Sequence, residues 1–363
     1  MSQFETRRDK LRRALKRAGA DALLVTDFRN VTYLTGFTGD DSYLLVRSDG
    51  ETLLSDGRYT TQLSEECPDL DVDIRSPSVK MLDATSRLVR RSGLAKLAVE
   101  ADSMTVGFRD KLSEKLPKLQ FVSTTGLVAE LRVRKDRDEV RRIRRAVECA
   151  EKAFAAVCEG LTPEKTEKDV ADELDHTMRR MGAECASFPP IVAVGSRSAL
   201  PHAPPTDRQM GEDGFVLIDW GARDDLYVSD LTRVVIHGKL SARLRRVYSA
   251  VLEAQTRAIE SIRPGVTAQE VDAVARGVLA DAGFGRRFNH GLGHGIGLDV
   301  HEAPRLGATS ETVLKPGMVV TVEPGVYLPG WGGVRLEDDV LVTRNGYEVL
   351  TTVAKELEEV IVG

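Results

Sequence analysis

The stretch from Phe288 to Glu302 holds three of the six histidines in the chain, His290, His294 and His301, with four glycines interleaved. Imidazole offers a neutral nitrogen to a metal, or a proton near neutral pH. Glycine allows close backbone approaches that a Cβ forbids. Such a loop does chemistry if acids elsewhere complete it, and two pairs of acids are spaced to do so. Phe215–Asp219 reads as a buried strand ending in a carboxylate, and Asp230 follows on the returning segment Val228–Thr232. A turn at Asp224 and Asp225 sets Asp219 directly opposite Asp230, with Cβ atoms ~5 Å apart. The device recurs in Val319–Glu323 and Val334–Glu337. Here a turn centred on Gly330 sets Glu323 opposite Glu337, with Arg335 on the face of Glu337. Burying four unpaired carboxylates is prohibitively costly. Two divalent cations neutralise them, and His294 offers a nitrogen to one. Mn²⁺, Co²⁺, Zn²⁺ and Fe²⁺ all suit this donor set. A pair of such ions ~3.5–4 Å apart activates water and polarises the bond under attack.

The elements that must position these groups form an internal repeat. Thr166 to Val170 opens one helix that stops at Gly182, and Thr267 to Val271 opens another that stops at Gly283. Each has a capping Thr with an acid three residues on, and each ends at a glycine. A long helix precedes each, over 141–161 and 242–262. A His-Ala-Pro or His-Glu-Ala-Pro signature follows each, at His202 and His301. Two related halves of this kind pack around a shared cleft. Residues 1–131 read differently. They lack histidine and alternate short apolar runs (22–25, 43–46, 52–54, 72–74, 97–99, 119–122) with helical patterns (2–18, 58–66, 79–91, 106–116). This is a small α/β domain. The fold class expected is therefore α/β (α+β), with a domain over 1–131 and a repeat-built catalytic domain over 132–363. The basic run 132–145 reads as a solvated helix start at the junction, because acids are interspersed and an apolar stripe follows.

Bulk composition narrows the function. A length of 363 residues with 42% apolar and 29% charged residues is that of a globular protein. A net charge of −5 argues against a nucleic-acid partner. No apolar run approaches a membrane span, and the first twenty residues lack a signal core, so a cytoplasmic location is expected. The four cysteines show no metal-binding spacing, and free thiols are expected.

Together, the segments around Asp219, Asp230, His290–Gly297, Glu323 and Arg335–Asp338 resemble the pita-bread metallopeptidase family, in particular its proline-specific branch of aminopeptidase P and prolidase. The resemblance covers residues 137–363 closely, and the first domain in size and type. It implies a pita-bread catalytic domain with a pseudo-two-fold repeat. It also implies two divalent ions, Mn²⁺ or Co²⁺ first, bound by Asp219, Asp230, His294, Glu323 and Glu337, with Asp230 and Glu337 bridging. Glu323 takes a proton from the attacking water. His202 and His301 stabilise the carbonyl under attack. His290 and Arg335 shape the pocket for the residue after the cleaved bond. The implied substrate is a short peptide with proline second, the implied assembly a homodimer, and dipeptidase activity is favoured over aminopeptidase P. The alternatives are a binding protein on the same scaffold that has lost catalysis, a methionine-aminopeptidase-like specificity, and another dinuclear hydrolase such as a phosphatase. Methionine aminopeptidases space the two glutamates further apart. Creatinase shares the fold but lacks the full ligand set.

Overall fold

The computed structural model describes residues 2–237 and 240–362, with the side chains of 361 and 362 left aside. It forms two compact units, Met1–Arg132 and Val133–Gly363.

The first unit is one six-stranded sheet flanked by helices. Its strands are β1 (Ala22–Val25), β2 (Tyr43–Arg47), β3 (Glu51–Asp56), β4 (Asp71–Arg75), β5 (Lys96–Glu100) and β6 (Gln120–Thr124), in the order β4-β3-β2-β1-β5-β6. Every strand read from the sequence is present. The helices α1 (Gln3–Ala18), α3 (Thr60–Glu66), α4 (Met81–Arg91) and α5 (Val106–Lys115) fall on the helical patterns, and two short ones, α2 (Phe28–Thr35) and α6 (Ala129–Arg132), are additional. On α1, Arg7 and Arg8 are buried and donate to the backbone oxygens of Tyr33 and Leu34. They satisfy the last carbonyls of α2, which have no partners within that helix.

In the second unit, α7 (Arg137–Glu159) and α8 (Glu167–Arg180) belong to the first half, and α9 (Ala242–Ser261) and α10 (Ala268–Asp281) to the second. Asp136 caps α7 in a capping box with Glu139. Thr166 and Thr267 cap α8 and α10 in matching boxes with Asp169 and Glu270. The chain leaves both helices through left-handed glycines, Gly182 (φ 109°) and Gly283 (φ 85°). The basic run 132–145 straddles the start of α7, and Arg134, Arg137, Arg141 and Arg145 are exposed as expected. Lys135 is buried, with its Nζ 3.1 Å from Glu302 Oε2.

The first half contributes β7 (Cys185–Ala186), β8 (Ile191–Val194), β9 (Phe215–Trp220), β10 (Ala222–Asp224), β11 (Tyr227–Val228) and β12 (Leu231–His237). The second contributes β13 (Gly293–Gly295), β14 (Glu302–Leu306), β15 (Val319–Val322), β16 (Gly325–Leu328), β17 (Gly332–Arg335), β18 (Asp338–Val342), β19 (Tyr347–Val349) and β20 (Ile361–Val362). The main sheets run β20-β12-β9-β8 and β14-β13-β15-β18-β19, with smaller sheets β11-β10-β7 and β16-β17. Side-chain alternation decides what faces the cleft. Val216, Ile218 and Trp220 enter the core beneath α7 and α8, where Trp220 stacks on Phe154 at 4.1 Å. Phe215 and Leu217 enter the other core, and Asp219 continues their face. On β15, Val320 and Val322 pack with α9 and α10, so Thr321 and Glu323 point the opposite way.

Candidate metal centre

Two hairpins carry the four acids, and only the second has the register expected. Val322 pairs with Asp338 and Gly325 with Arg335, so the same register on either side places Glu323 opposite Glu337. In the first hairpin the turn lies at Asp225 and Leu226, not at Asp224 and Asp225. Asp224 pairs with Tyr227, and both loop residues have positive φ, 47° and 70°. A two-residue turn of that kind matches the twist of the strands, and Leu is a poor predictor of it. Asp219 therefore faces Thr232 rather than Asp230, and Gly221 lies opposite Asp230. The slip is two residues, which preserves side-chain parity. Both aspartates still reach the same site.

The glycines of the histidine loop serve close approach rather than unusual dihedrals. A Cβ on Gly293 would sit 2.1 Å from the Thr321 carbonyl oxygen, and one on Gly295 2.3 Å from that of Ala303. Strand β13 can lie this tightly between β14 and β15 only without side chains there. His294, between the two glycines, is thereby fixed over the acids.

His294 Nε2 lies 3.4 Å from Glu323 Oε1 and 3.8 Å from Asp230 Oδ2. Among the described residues, Asp230, His294 and Glu337 form a group whose ligand atoms all lie within 4.8 Å of one another. Thr232 Oγ1 donates to Glu337 Oε2 at 2.6 Å and accepts from Arg335 Nε at 3.1 Å. Arg335 Nη2 donates to Asp219 Oδ2 at 2.5 Å, while Asp219 Oδ1 is buried with no partner among the described residues. Asp339, fully buried, accepts from the Asp230 backbone N–H at 3.1 Å.

Burial governs the protonation of the centre. It raises the carboxyls of Asp219, Asp230 and Glu337 and pushes Glu323 up to about 8. For Asp230 and Glu337 the neighbouring acids add to the rise. Burial pulls His294 and His290 down to about 4, so both imidazoles are neutral at pH 7. Crowded acids that resist ionisation beside a neutral imidazole are what a cationic occupant relieves. The unpartnered Asp219 oxygen is a further open ligand position.

The centre floors a cavity of about 860 Å³. His202 and His301 are exposed along its wall, and the ring of His301 is 4.3 Å from that of His294. His290 Nε2 contacts the Tyr327 hydroxyl at 2.9 Å, which also accepts from Arg335 Nη1 at 2.9 Å. All nine sequence-derived site residues line this one cavity. Arg335 does so differently from expectation. It is buried and holds Asp219, Thr232, Tyr327 and the Pro201 carbonyl. Arg305, exposed on the same cavity, makes no ion pair among the described residues. Thr232, Tyr327, Arg305 and Asp339 also belong to the site, beyond the residues expected from the sequence. Strand parity signals two of them, since Tyr327 lies four residues beyond Glu323, and Thr232 two beyond Asp230.

Acids packed this closely around an imidazole, beside a cavity, suit a metal-dependent hydrolase, and comparison with known proteins narrows that class. The chain belongs to metallopeptidase family M24, whose model matches residues 141–344; the creatinase/prolidase N-terminal domain matches residues 7–134. It is a peptidase, and the family implies divalent metals. It is 38% identical over 338 residues to the Xaa-Pro dipeptidase of Pyrococcus horikoshii, covering 93% of this chain and 94% of that one. Among solved structures it resembles the Xaa-Pro dipeptidase from Bacillus anthracis (TM-score 0.95, 38% identity, 99% of this chain and 100% of that one). It also resembles an X-Pro aminopeptidase from Thermotoga maritima (TM-score 0.89, 36% identity, 96% and 100%).

Proposed function

We propose that this chain hydrolyses Xaa-Pro bonds of dipeptides and short peptides, with two divalent ions held by Asp219, Asp230, His294, Glu323 and Glu337. The observation that carries the reading is that these five side chains line one cavity, with Asp219 Oδ1 buried and unpartnered among the described residues. When bound, Mn²⁺ or Co²⁺ supplies Lewis acidity and lowers the proton affinity of water.

The chain's own residues do the rest. Glu323 is the acid nearest His294 and takes the proton released at the floor of the site. His301, whose pKa is lowered by its partial desolvation against the cavity wall, faces the cavity beside His202. The two place N–H donors where charge develops on the substrate oxygen. Arg335 holds Asp219 and, through Thr232, Glu337. That leaves Arg305 to meet a substrate carboxylate, with a planar fork suited to two parallel hydrogen bonds. An Xaa-Pro bond has no amide N–H, so a site that grips the amine, carbonyl and carboxylate loses nothing there. The walls contributed by Phe188, Pro189, Pro190 and Ile191 are apolar and suit a pyrrolidine ring. All five ligands are present, which disfavours an inactive binding protein.

The deciding experiment strips the protein of metal, restores Mn²⁺ or Co²⁺, and compares Xaa-Pro, Xaa-Pro-Yaa and Xaa-Ala peptides. Hydrolysis of Xaa-Pro above the others supports the dipeptidase reading. Preference for Xaa-Pro-Yaa reassigns the chain to aminopeptidase P, and no proline preference refutes the proposal. A homodimer is part of the same reading, and light scattering tests it. Among the described residues no helix is long and apolar enough to cross a membrane. A cytoplasmic location stays part of the proposal, and fractionation tests it.

A further inference from the structure

We infer that Glu167 is a positioning residue for His202, an inference that rests on the Xaa-Pro reading. The internal repeat supplies the control. The first N–H groups of α8, from Glu167 and Lys168, donate to the carbonyls of Arg208 (2.9 Å) and Thr206 (3.1 Å). The first N–H groups of α10, from Ala268 and Gln269, donate to those of Thr312 (2.9 Å) and Ser310 (2.9 Å). The two helices therefore enter the fold in the same way, behind matching capping boxes. Yet the first helical residue is Glu in one half and Ala in the other. Docking the helix needs no carboxylate, and burying one is unfavourable unless every lone pair finds a donor.

Glu167 is fully buried and finds those donors in a single loop. It accepts from the Val194 N–H at 2.8 Å, the Thr206 N–H at 2.9 Å and Thr206 Oγ1 at 2.7 Å. Arg197 Nε reaches its two oxygens at 3.0 and 2.9 Å, and Arg197 Nη2 extends the clamp to the Pro204 carbonyl at 2.5 Å. One carboxylate thus ties down residues 194, 197, 204 and 206, and His202 lies inside that span. The His202 imidazole makes no hydrogen bond among the described residues, so its placement is inherited from this backbone. The second half holds its own histidine loop with different residues. Asp272, buried on α10 and paired with Arg276, accepts from the Leu292 N–H at 3.1 Å, and Arg276 donates to the carbonyls of Phe288 (3.1 Å) and His290 (2.5 Å).

The test follows the His202 imidazole directly. Its ¹³Cε1–¹H resonance is assigned in the protein loaded with diamagnetic Zn²⁺ by its loss in His202→Ala. In Glu167→Gln this resonance shifts or broadens while that of His294 stays in place and metal affinity is unchanged. The kcat for an Xaa-Pro dipeptide falls ~10–100-fold, the scale of losing a group that orients a reacting side chain. The double variant with His202→Ala is no slower than His202→Ala alone. An unmoved His202 resonance, or losses that simply multiply in the double variant, overturns the inference. Should Glu167→Gln not fold, Thr206→Val removes one arm of the clamp and must displace the same resonance. If the wild type shows no Xaa-Pro hydrolysis, the functional reading fails while the resonance still decides the role of Glu167.

Discussion

Removing the metal should invert the pH dependence of stability. In the metal-free centre Glu323 titrates near 8, and Asp219, Asp230 and Glu337 are also raised, burial being the largest cause for each. In the unfolded chain these groups titrate at ~4. Between those values the folded state holds more protons than the unfolded one, so stability falls as pH rises. His290 and His294 work the other way, because their folded pKa of about 4 lies below the unfolded ~6.5, but only below pH ~6.5. The informative window is therefore pH 6.5–8. One fully protonated group changes stability by about 1.4 kcal/mol per pH unit, so Glu323 alone contributes roughly 2 kcal/mol across that window. The coupled acids add to this in the same direction. For a unit of this size the effect is a fall of roughly 4–8 °C in Tm. Saturating Mn²⁺ ionises the acids on binding, so the metal-loaded Tm should be flat or rise with pH. Scanning calorimetry on chelated and reloaded protein reads both arms. Titration with Mn²⁺ at pH 7, in buffers of different ionisation enthalpy, should show net proton release. A metal-free Tm that rises or stays level from pH 6.5 to 8 would mean that the carboxylates are already ionised, and the electrostatic account of the centre would be wrong.

Three further outcomes follow from single contacts. Arg305→Met should raise KM for Xaa-Pro dipeptides ~10–100-fold with a smaller change in kcat, as expected when a charged hydrogen bond to a carboxylate is lost; steady-state kinetics decides, and an unchanged KM returns that role to another cation. Gly293→Ala forces a Cβ to 2.1 Å from the Thr321 carbonyl oxygen. It should cost about 2–4 kcal/mol by denaturant unfolding and release metal with it. Arg233→Met removes a buried cation whose Nη1 donates to the Glu337 carbonyl at 2.6 Å and whose Nη2 pairs with Asp338 at 2.7 Å. Loss of about 3–5 kcal/mol is expected, with weaker metal binding measured on the protein that remains folded.

Legibility differed by element for physical reasons. Helices that announce themselves locally were readable to within a few residues. Thr166 and Thr267 each cap their own helix, and Gly182 and Gly283 each close it. The strands of the first unit were readable because apolar runs alternate with turns. Helix α2 was not, because Phe28–Thr35 carries β-branched and aromatic residues of middling helix propensity; buried Val31 and Leu34 and the donors from Arg7 and Arg8 settle it. The first hairpin's register was missed because it depends on positive φ at Asp225 and Leu226. The commitment of Arg335 to Asp219 was hidden because its partners come from four separated segments.

The two acid hairpins are not equivalent, and the asymmetry explains how the site holds together before any cation binds. In the second hairpin Glu323 and Glu337 face each other in register. In the first, Asp219 and Asp230 are offset, which frees the position opposite Asp219 for Thr232. That threonine joins the hairpins. Its backbone bridges to Glu337, its hydroxyl donates to the Glu337 carboxylate, and the same oxygen accepts from Arg335. Asp339 adds a second tie, through the Asp230 backbone N–H. A direct Asp219–Asp230 pairing would leave no such residue, and repulsion among the acids would fall on the hairpins themselves. Thr232→Val keeps the shape and removes the hydroxyl, so it tests the point cleanly. Metal affinity should drop ~10–100-fold, as for other groups that orient ligands, while stability of the metal-loaded protein changes by no more than about 1–2 kcal/mol. Wild-type metal affinity in that variant would show that the hairpins are held by their cores alone.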